Sequence, residues 1–202
     1  MEEYFKILRS GFAEKSFAML KDTKLLRAIT PELEQAGPAF WESIRRLDDY
    51  RNRFAAAPDT LTNAILAGTI LVPLGLAGGP RRYSADALER KVELGVLPMP
   101  RRDVERLHQI LALQPRLLDL RAPLRAQRAV MHRHAFHDAL IWLEIHGGRP
   151  DVLQHWQSLE TEPGPGHVPG VDGNRQPAGE RPLRRRRRRR RRGRGSPSTG
   201  QT

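Results

Sequence analysis

The chain has 202 residues, enough for one or two domains, and its formal net charge is +12. The positive charge is concentrated: residues 161–202 hold 12 Arg and 3 acidic residues, whereas residues 1–160 hold 23 basic and 20 acidic residues. Because the chain has no cysteine, disulfide scaffolds, thiolate zinc sites, iron–sulfur clusters and cysteine nucleophiles are all excluded. A cationic segment on a nearly neutral body points to a polyanionic partner, most often a nucleic acid.

The body, residues 1–160, is predicted to be all-α because its apolar residues recur at intervals of three and four. No run alternates well enough to predict a strand. We expect six to eight short helices packed as one compact multi-helix bundle. Residues 60–71 are apolar on most sides, which predicts a central helix buried by its neighbours. The apolar stripes that carry the rest of the prediction are Tyr4, Ile7 and Leu8; Phe17 and Leu20; Phe40, Ile44, Leu47 and Phe54; Val104, Leu107, Ile110 and Leu111; Phe136, Ala139, Leu140 and Leu143; and Val152, Trp156 and Leu159.

Proline, glycine and aspartate divide these stripes into separate helices. Proline is tolerated at a helix start, where its missing N–H costs little, and glycine often ends a helix. The predicted helix starts lie at or just after Pro31, Pro58, Pro100, Pro123 and Pro150, the predicted caps are Asp59 and Asp151, and the predicted stops are Gly95 and Gly147 with Gly148.

The most apolar stretch covers residues 64–79. It is shorter than the roughly 20 residues of a membrane span, and Pro73 interrupts it, so a buried helix with an exit loop is the prediction. The N-terminus lacks the basic and apolar regions of a secretory signal. We therefore expect a cytoplasmic protein without a membrane partner.

Active-site motifs are absent from the body. Neither GxxxxGK[ST] nor GxGxxG occurs, and the glycines between Gly75 and Pro80 fit a flexible loop. Asp48 and Asp49 are expected on the solvent side of a helix, where neighbouring side chains point about 100° apart and do not converge on one metal. No catalytic, cofactor-binding or metal-binding residue is therefore predicted.

One histidine cluster leaves two interpretations open. His134 lies one helical turn from His137 and Asp138, a spacing that can hold zinc or a pair of metals. Further ligands would have to come from His108 and Asp103, which no motif surrounds. Ordinary surface or capping histidines are the alternative that we favour.

The tail, residues 161–202, contains 8 Gly, 6 Pro and no aromatic residue, so it cannot bury enough apolar surface to fold. It is predicted to be a disordered spacer followed by an arginine block. Guanidinium groups bind phosphate in a bidentate manner, which favours nucleic acid over a targeting signal or an anionic membrane surface. The predicted RNA-binding residues of the tail are Arg184, Arg185, Arg186, Arg187, Arg188, Arg189, Arg190, Arg191 and Arg192.

Arginines also recur in the body between residues 81 and 128. Helices that present several of them could form a phosphate track. A mixed surface, neutralised by Asp103, Glu105 and Asp119, is the equally supported alternative. The arginines concerned are Arg81, Arg82, Arg101, Arg102, Arg106, Arg116, Arg121, Arg125 and Arg128.

The order of several motifs resembles the C-terminal part of bacterial poly(A) polymerase, a relative of the tRNA CCA-adding nucleotidyltransferases. The resemblance covers nearly the whole chain. Its most specific part is the motif "P-[KR]-R … I-x-x-L-Q-x-R", which residues 97–102 and 110–117 resemble. The matching stretches are LRSGFAEKSF at 8–17, PEL at 31–33, LVPL at 71–74, LPMPRR at 97–102 with ILALQPRL at 110–117, RHAFHDAL at 133–140, and the arginine block.

The resemblance implies a helical RNA-binding body with RNA contacts at Arg101, Arg102 and Arg116, besides the arginine block. In that family an N-terminal head carries a glycine-containing turn and the carboxylates that bind two metal ions. Nothing in this sequence matches those features, so we expect the chain to lack the head. ATP and Mg²⁺ would then belong to a head in another chain.

We therefore expect the chain to support RNA 3′-end polyadenylation without an active site of its own. The resemblance also favours a packed helix without ligands for residues 132–137. A free-standing nucleic-acid- or ribosome-binding protein, an interaction protein for acidic proteins or lipids, and a non-functional fragment are the alternatives.

Overall fold

The computed structural model describes residues 1–77 and 93–161. Of the predicted tail, only Thr161 is described, as the last residue of the final helix. Residues 162–202, Arg81 and Arg82 lie outside the described residues, so the predictions made for them stand as predictions. The described helices are α1 (Glu2–Arg9), α2 (Ala13–Asp22), α3 (Leu25–Ile29), α4 (Pro31–Glu34), α5 (Pro38–Arg51), α6 (Asn63–Leu71), α7 (Arg101–Leu118), α8 (Leu124–Met131), α9 (Phe136–Trp142) and α10 (Pro150–Thr161). A π-helical turn, Leu143–Gly147, follows α9.

Helix α6 lies at the centre of the bundle, as its sequence predicts. From Ala64 to Leu71 every residue is buried, because α5 packs on one side and α7 on another. Gly68 permits this close packing: a Cβ there would lie 2.5 Å from the Trp142 ring and 2.6 Å from the Leu107 side chain. The fold is confirmed as all-α over the described residues, apart from one short hairpin.

A series of aromatic side chains in contact joins the N-terminal helices. Tyr4 and Phe17 meet edge to face with ring centroids 5.3 Å apart, and Phe17 meets Phe40 at 5.9 Å. The hydroxyl groups of Tyr4 and Thr30 are hydrogen-bonded at 2.9 Å inside the core. These contacts fix α1, α2 and α5 against one another.

The prediction that no strand occurs was wrong at one place. Two-residue strands β1 (Glu93–Leu94) and β2 (Leu97–Pro98) pair antiparallel, with Leu94 opposite Leu97. Gly95, predicted to end a helix, instead forms the turn with φ +56°, and any Cβ there would collide with the backbone of Ile29. The short hairpin has too few residues to show an alternating pattern.

Two predictions on the α5 stripe need correction. Asp48 was expected in solvent, but it is buried and its two carboxylate oxygens each accept a 2.9 Å hydrogen bond, one from the N–H of Ala13 and one from that of Glu14. Asp49 is exposed as predicted. Phe54, predicted to be in the core, is 41% exposed because α5 ends at Arg51, before the stripe reaches it.

The predicted helix boundaries are right at several prolines and wrong near residue 58. Pro31 and Pro150 open α4 and α10, and Pro100 and Pro123 directly precede α7 and α8. Helix α6 starts only at Asn63 with Thr62 before it, so neither Pro58 nor Asp59 marks its start. Gly148, with φ +58°, ends the π-helical turn as predicted.

All described residues fall in one compact unit, Met1–Glu162. Within residues 1–77 and 93–161, no helix combines the length and the hydropathy that a membrane crossing requires.

Candidate nucleic-acid interface

A groove runs along one face of α7. It consists of two adjoining hollows that share Gln109 and His134 in their walls. The N-terminus of α6 closes one hollow, and the turn between α8 and α9 closes the other. We call these two hollows together the α7 groove.

The first hollow has a volume of about 530 Å³ and mixed charge. Its lining includes two arginines but three carboxylates, so it offers a phosphate no net attraction. The pKa of Asp103 is raised above its ordinary value, because the effect of burial exceeds the opposite effects of a hydrogen bond with Asn63 and of the charge of Arg102. The charged lining residues are Arg102, Arg106, Asp103, Glu105 and Asp138.

The second hollow has a volume of about 440 Å³ and carries only positive charge. Arg116 and Arg133 stand in its wall, no Asp or Glu lines it, and its floor is apolar. Within the described part of the chain, neither arginine forms an ion pair. An acid-free hollow with two arginines is therefore the part of the groove that suits a phosphate backbone.

Arg106 holds the two sides of the groove together. Its Nε donates to Asp138 at 2.8 Å, and its terminal Nη2 donates to the backbone carbonyl of His134 at 2.8 Å. Both side chains of this ion pair are mostly buried, with 22% and 13% exposure. The turn that carries Arg133 and His134 is thereby fixed against α7, so the groove exists before any ligand binds.

The structure brings two of the three predicted body residues to this groove. Arg102 lines the first hollow and Arg116 the second. Arg101 is exposed at the start of α7, outside the lining, and its Nε donates to Glu105 at 2.7 Å. The nine tail arginines, Arg184 to Arg192, lie outside the described residues.

Sequence reasoning missed Arg133, although it belongs to a stretch that carries the family resemblance. Its distance from Arg116 along the chain gives no sign that the two share a hollow. The contacts of Arg106 place the turn after α8 against α7. Pairing of a semi-buried arginine with an aspartate 32 residues away is a tertiary feature that local patterns do not report.

The histidine cluster is dispersed by the fold. Asp138 is buried and occupied by Arg106, whereas His137 is exposed and lies 3.5 Å from Glu160. His134 faces the groove. Over residues 1–77 and 93–161, no three His, Asp or Glu side chains are grouped closely enough to hold a metal ion.

Comparison with protein families settles the wider relationship. The family described as "Polymerase A arginine-rich C-terminus" matches residues 84–193, more than half of the chain. The chain belongs to this poly(A) polymerase family. A second family, "Probable RNA and SrmB- binding site of polymerase A", matches residues 1–36. No curated protein and no solved structure matches the chain.

The two matches confirm the resemblance to the C-terminal part of poly(A) polymerase. The C-terminal family's match begins before the hairpin and includes all of α7, both hollows' arginines and the arginine block. The α7 groove therefore lies almost entirely in the poly(A) polymerase C-terminal segment, with only the start of α6 outside it.

Proposed function

We propose that this chain binds RNA through the second hollow of the α7 groove and through its arginine tail. By this proposal, it holds an RNA 3′ end in the cytoplasm for adenylation by a nucleotidyltransferase head. Membership in the poly(A) polymerase family supports the reaction context, and the description of the N-terminal family supports RNA as the partner.

The observation that carries the proposal is the acid-free hollow around Arg116. Arg45, Arg46, Arg53, Arg101, Arg106 and Arg149 are each paired with a carboxylate. Arg116 and Arg133 instead face one hollow without an acidic neighbour in its lining. Unpaired guanidinium groups next to one another are typical of phosphate recognition.

The proposed division of roles between groove and tail follows from how their arginines are arranged. The hollow presents two arginines from the folded body, whereas the tail sequence supplies nine consecutive charges in a Gly- and Pro-rich segment. We expect the tail to provide most of the affinity, independent of sequence, and the hollow to provide placement of the strand.

The test is an RNA titration with the double variant Arg116→Ala/Arg133→Ala in the full chain. Fluorescence anisotropy with an unstructured 12-nucleotide RNA at 150 mM KCl should show affinity reduced about 5- to 20-fold, since each phosphate contact is a charge-assisted hydrogen bond. The matched control is Arg53→Ala/Arg149→Ala. It removes the same charge from exposed surface ion pairs outside the groove, and its affinity should stay within about twofold.

Equal loss in both double variants would show that only net charge matters, and the groove would be excluded as the binding site. No loss in the groove variant would contradict the proposal equally directly.

Protein binding by the first 36 residues is a second candidate function. The description of that match names SrmB besides RNA, and the segment exposes three large apolar side chains, Phe12, Met19 and Leu25, at 65%, 60% and 47%. Exposed apolar side chains that are concentrated in one segment are typical of protein contacts. Calorimetry of the chain with purified SrmB should show heat of binding, and the double variant Phe12→Ser/Met19→Ser should abolish it. An unchanged titration with the variant would exclude Phe12 and Met19 as the binding surface.

A further inference from the structure

We propose that the second hollow of the α7 groove is a nucleotide site that takes one unpaired base of an RNA strand, with the flanking phosphates on Arg116 and Arg133. This inference rests on the proposed RNA binding and goes beyond it, because it assigns a base contact to a surface that otherwise recognises charge alone.

The floor of the hollow is suited to a flat apolar ring. Leu113 and Ala135 are 7% and 3% exposed and form its base, and Ala112 leaves the entrance open because its side chain is small. The volume of about 440 Å³ lies within the roughly 300–1,000 Å³ of pockets that enclose small organic ligands. The hollow can therefore admit a base and not only a phosphate.

The polar groups around this floor suit the edge of a base. The amide of Gln109 offers both donors and an acceptor, and the imidazole of His134 offers one of each when neutral. Within residues 1–77 and 93–161 neither side chain forms a hydrogen bond with the protein. Both stand where the two hollows meet, so their hydrogen-bonding capacity is open to a ligand in either hollow.

Charge and shape together favour a nucleotide in a single strand. Arg116 and Arg133 supply positive charge, and guanidinium planes stack on bases besides binding phosphate. A duplex keeps its bases paired and stacked, whereas a single strand can turn one base outwards into a pocket. An acidic peptide would match the charge but would leave the amide and the apolar floor without a planar partner.

The hollow is preformed, which lowers the cost of binding. The hydrogen bonds of Arg106 fix the turn that carries Arg133 and His134, and the side-chain amide of Gln114 donates to the carbonyl of Ala139 at 3.0 Å. These bonds attach α9 and the preceding turn to α7. Neither wall has to be assembled when the strand arrives.

The experiment compares two oligonucleotides of equal length and charge on the full chain: an unstructured 12-nucleotide RNA, and a 12-nucleotide strand built entirely on abasic sites. The unsubstituted chain should bind the base-bearing strand about tenfold more tightly, since stacking of one base contributes about 1–3 kcal/mol. Ala112→Trp, which fills the hollow without changing its charge, should abolish that preference while retaining affinity for the abasic strand.

The matched control is Ala126→Trp on the exposed surface of α8, which should retain the tenfold preference. Thermal unfolding of Ala112→Trp checks that the variant is folded. Gln109→Ala serves as a second variant that leaves the packing alone, and it should reduce the preference about threefold.

The outcomes separate this inference from the proposed function. A preference unchanged by Ala112→Trp and Gln109→Ala, or no preference in the unsubstituted chain, would overturn the base site while leaving RNA binding intact. Failure of the unsubstituted chain to bind either strand would overturn the proposed function itself. Tighter binding of a polyglutamate peptide of equal charge, lost in Ala112→Trp, would assign the hollow to an acidic peptide instead.

Discussion

The carboxylate of Asp48 on α5 binds backbone N–H groups at the start of another helix, α2. Its two oxygens accept the N–H groups of Ala13 and Glu14, which open α2 and have no partner within that helix. Phe12, which precedes α2, cannot supply such an oxygen. The negative charge also lies at the positive end of the α2 dipole. Asp48 therefore caps α2 across a tertiary contact.

Asp48→Asn should lower the free energy of unfolding by about 1–2 kcal/mol. An asparagine keeps one acceptor oxygen, but its NH₂ group would face the second N–H and could not accept from it. Urea denaturation measures the change. The neighbouring Asp49→Asn is the control, since Asp49 is exposed, and it should change stability by less than about 0.5 kcal/mol. Equal effects of the two substitutions would exclude the capping role.

His146 lies at the end of the π-helical turn and contacts the core. Its Nε2 is 3.2 Å from the hydroxyl of Thr69, and its ring lies 4.1 Å from that of Trp142. Burial, and to a smaller extent the charge of Arg46, lower the pKa of His146 to about 3. The folded protein therefore holds this imidazole neutral, whereas the unfolded chain protonates it near pH 6.5.

This difference predicts how stability depends on pH. Because the folded-state pKa is the lower one, the contribution of His146 is fully present above about pH 6.5 and is lost as the pH falls towards 3. Unfolding free energies measured from pH 7 to pH 4 should fall more steeply in the unsubstituted chain than in His146→Gln, by up to about 1.4 kcal/mol per pH unit. Parallel curves would contradict a neutral His146 in the folded protein.

At the scale of the element, α6 depends on its glycine. Gly68 lies where α6, α7 and α9 approach one another, and the Trp142 ring cannot move aside as a flexible side chain can. Alanine is the better helix former by about 1 kcal/mol, so an uncrowded site would favour Gly68→Ala.

We expect Gly68→Ala to lower the stability of the protein, because the steric cost of crowding exceeds the gain in helix propensity. Gly68→Ala should destabilise the protein by about 1–3 kcal/mol in thermal or urea denaturation. Gly37→Ala, where an added Cβ would meet nothing within 4 Å, is the control and should cost little. An unchanged or raised stability for Gly68→Ala would show that the helices are packed less closely than the structure indicates.

Elements with strong periodicity could be predicted from sequence, and contacts between elements could not. The stripes of α7 and α10 are long enough for the three-and-four interval to identify them, α6 is recognisable as a run that is apolar on most sides, and proline marks several starts correctly. The hairpin escaped prediction because two residues per strand cannot display alternation.

In the candidate site too, some residues could be predicted from the sequence and others could not. Arg102 and Arg116 could be predicted from the family resemblance because they lie on one helix with a recognisable motif. Arg133 and His134 reach the groove through the long-range bonds of Arg106, and these depend on the packed fold. The burial of Asp48 was missed for the same reason, since its partners lie more than 30 residues away.

In the whole molecule, the arginines of the body and those of the tail have different proposed roles. Six of the described arginines are paired with acids, whereas Arg116 and Arg133 line one hollow that contains no Asp or Glu. The tail carries nine consecutive arginines with no acid among them. By the proposed function, the tail attracts the RNA and the hollow positions one of its nucleotides.

The most direct test of RNA binding by this chain is the salt dependence of its affinity, with and without residues 181–195. Anisotropy titrations of the 12-nucleotide RNA between 50 and 200 mM KCl should give a slope of log K against log salt of about −7 to −8 for the full chain, because the nine tail arginines contribute about −6 and the two groove arginines about −1 to −2. Deletion should weaken binding sharply at low salt, reduce the slope to about −1 to −2, and leave the thermal unfolding of the body unchanged. Equal affinity and equal slope after deletion would contradict the account.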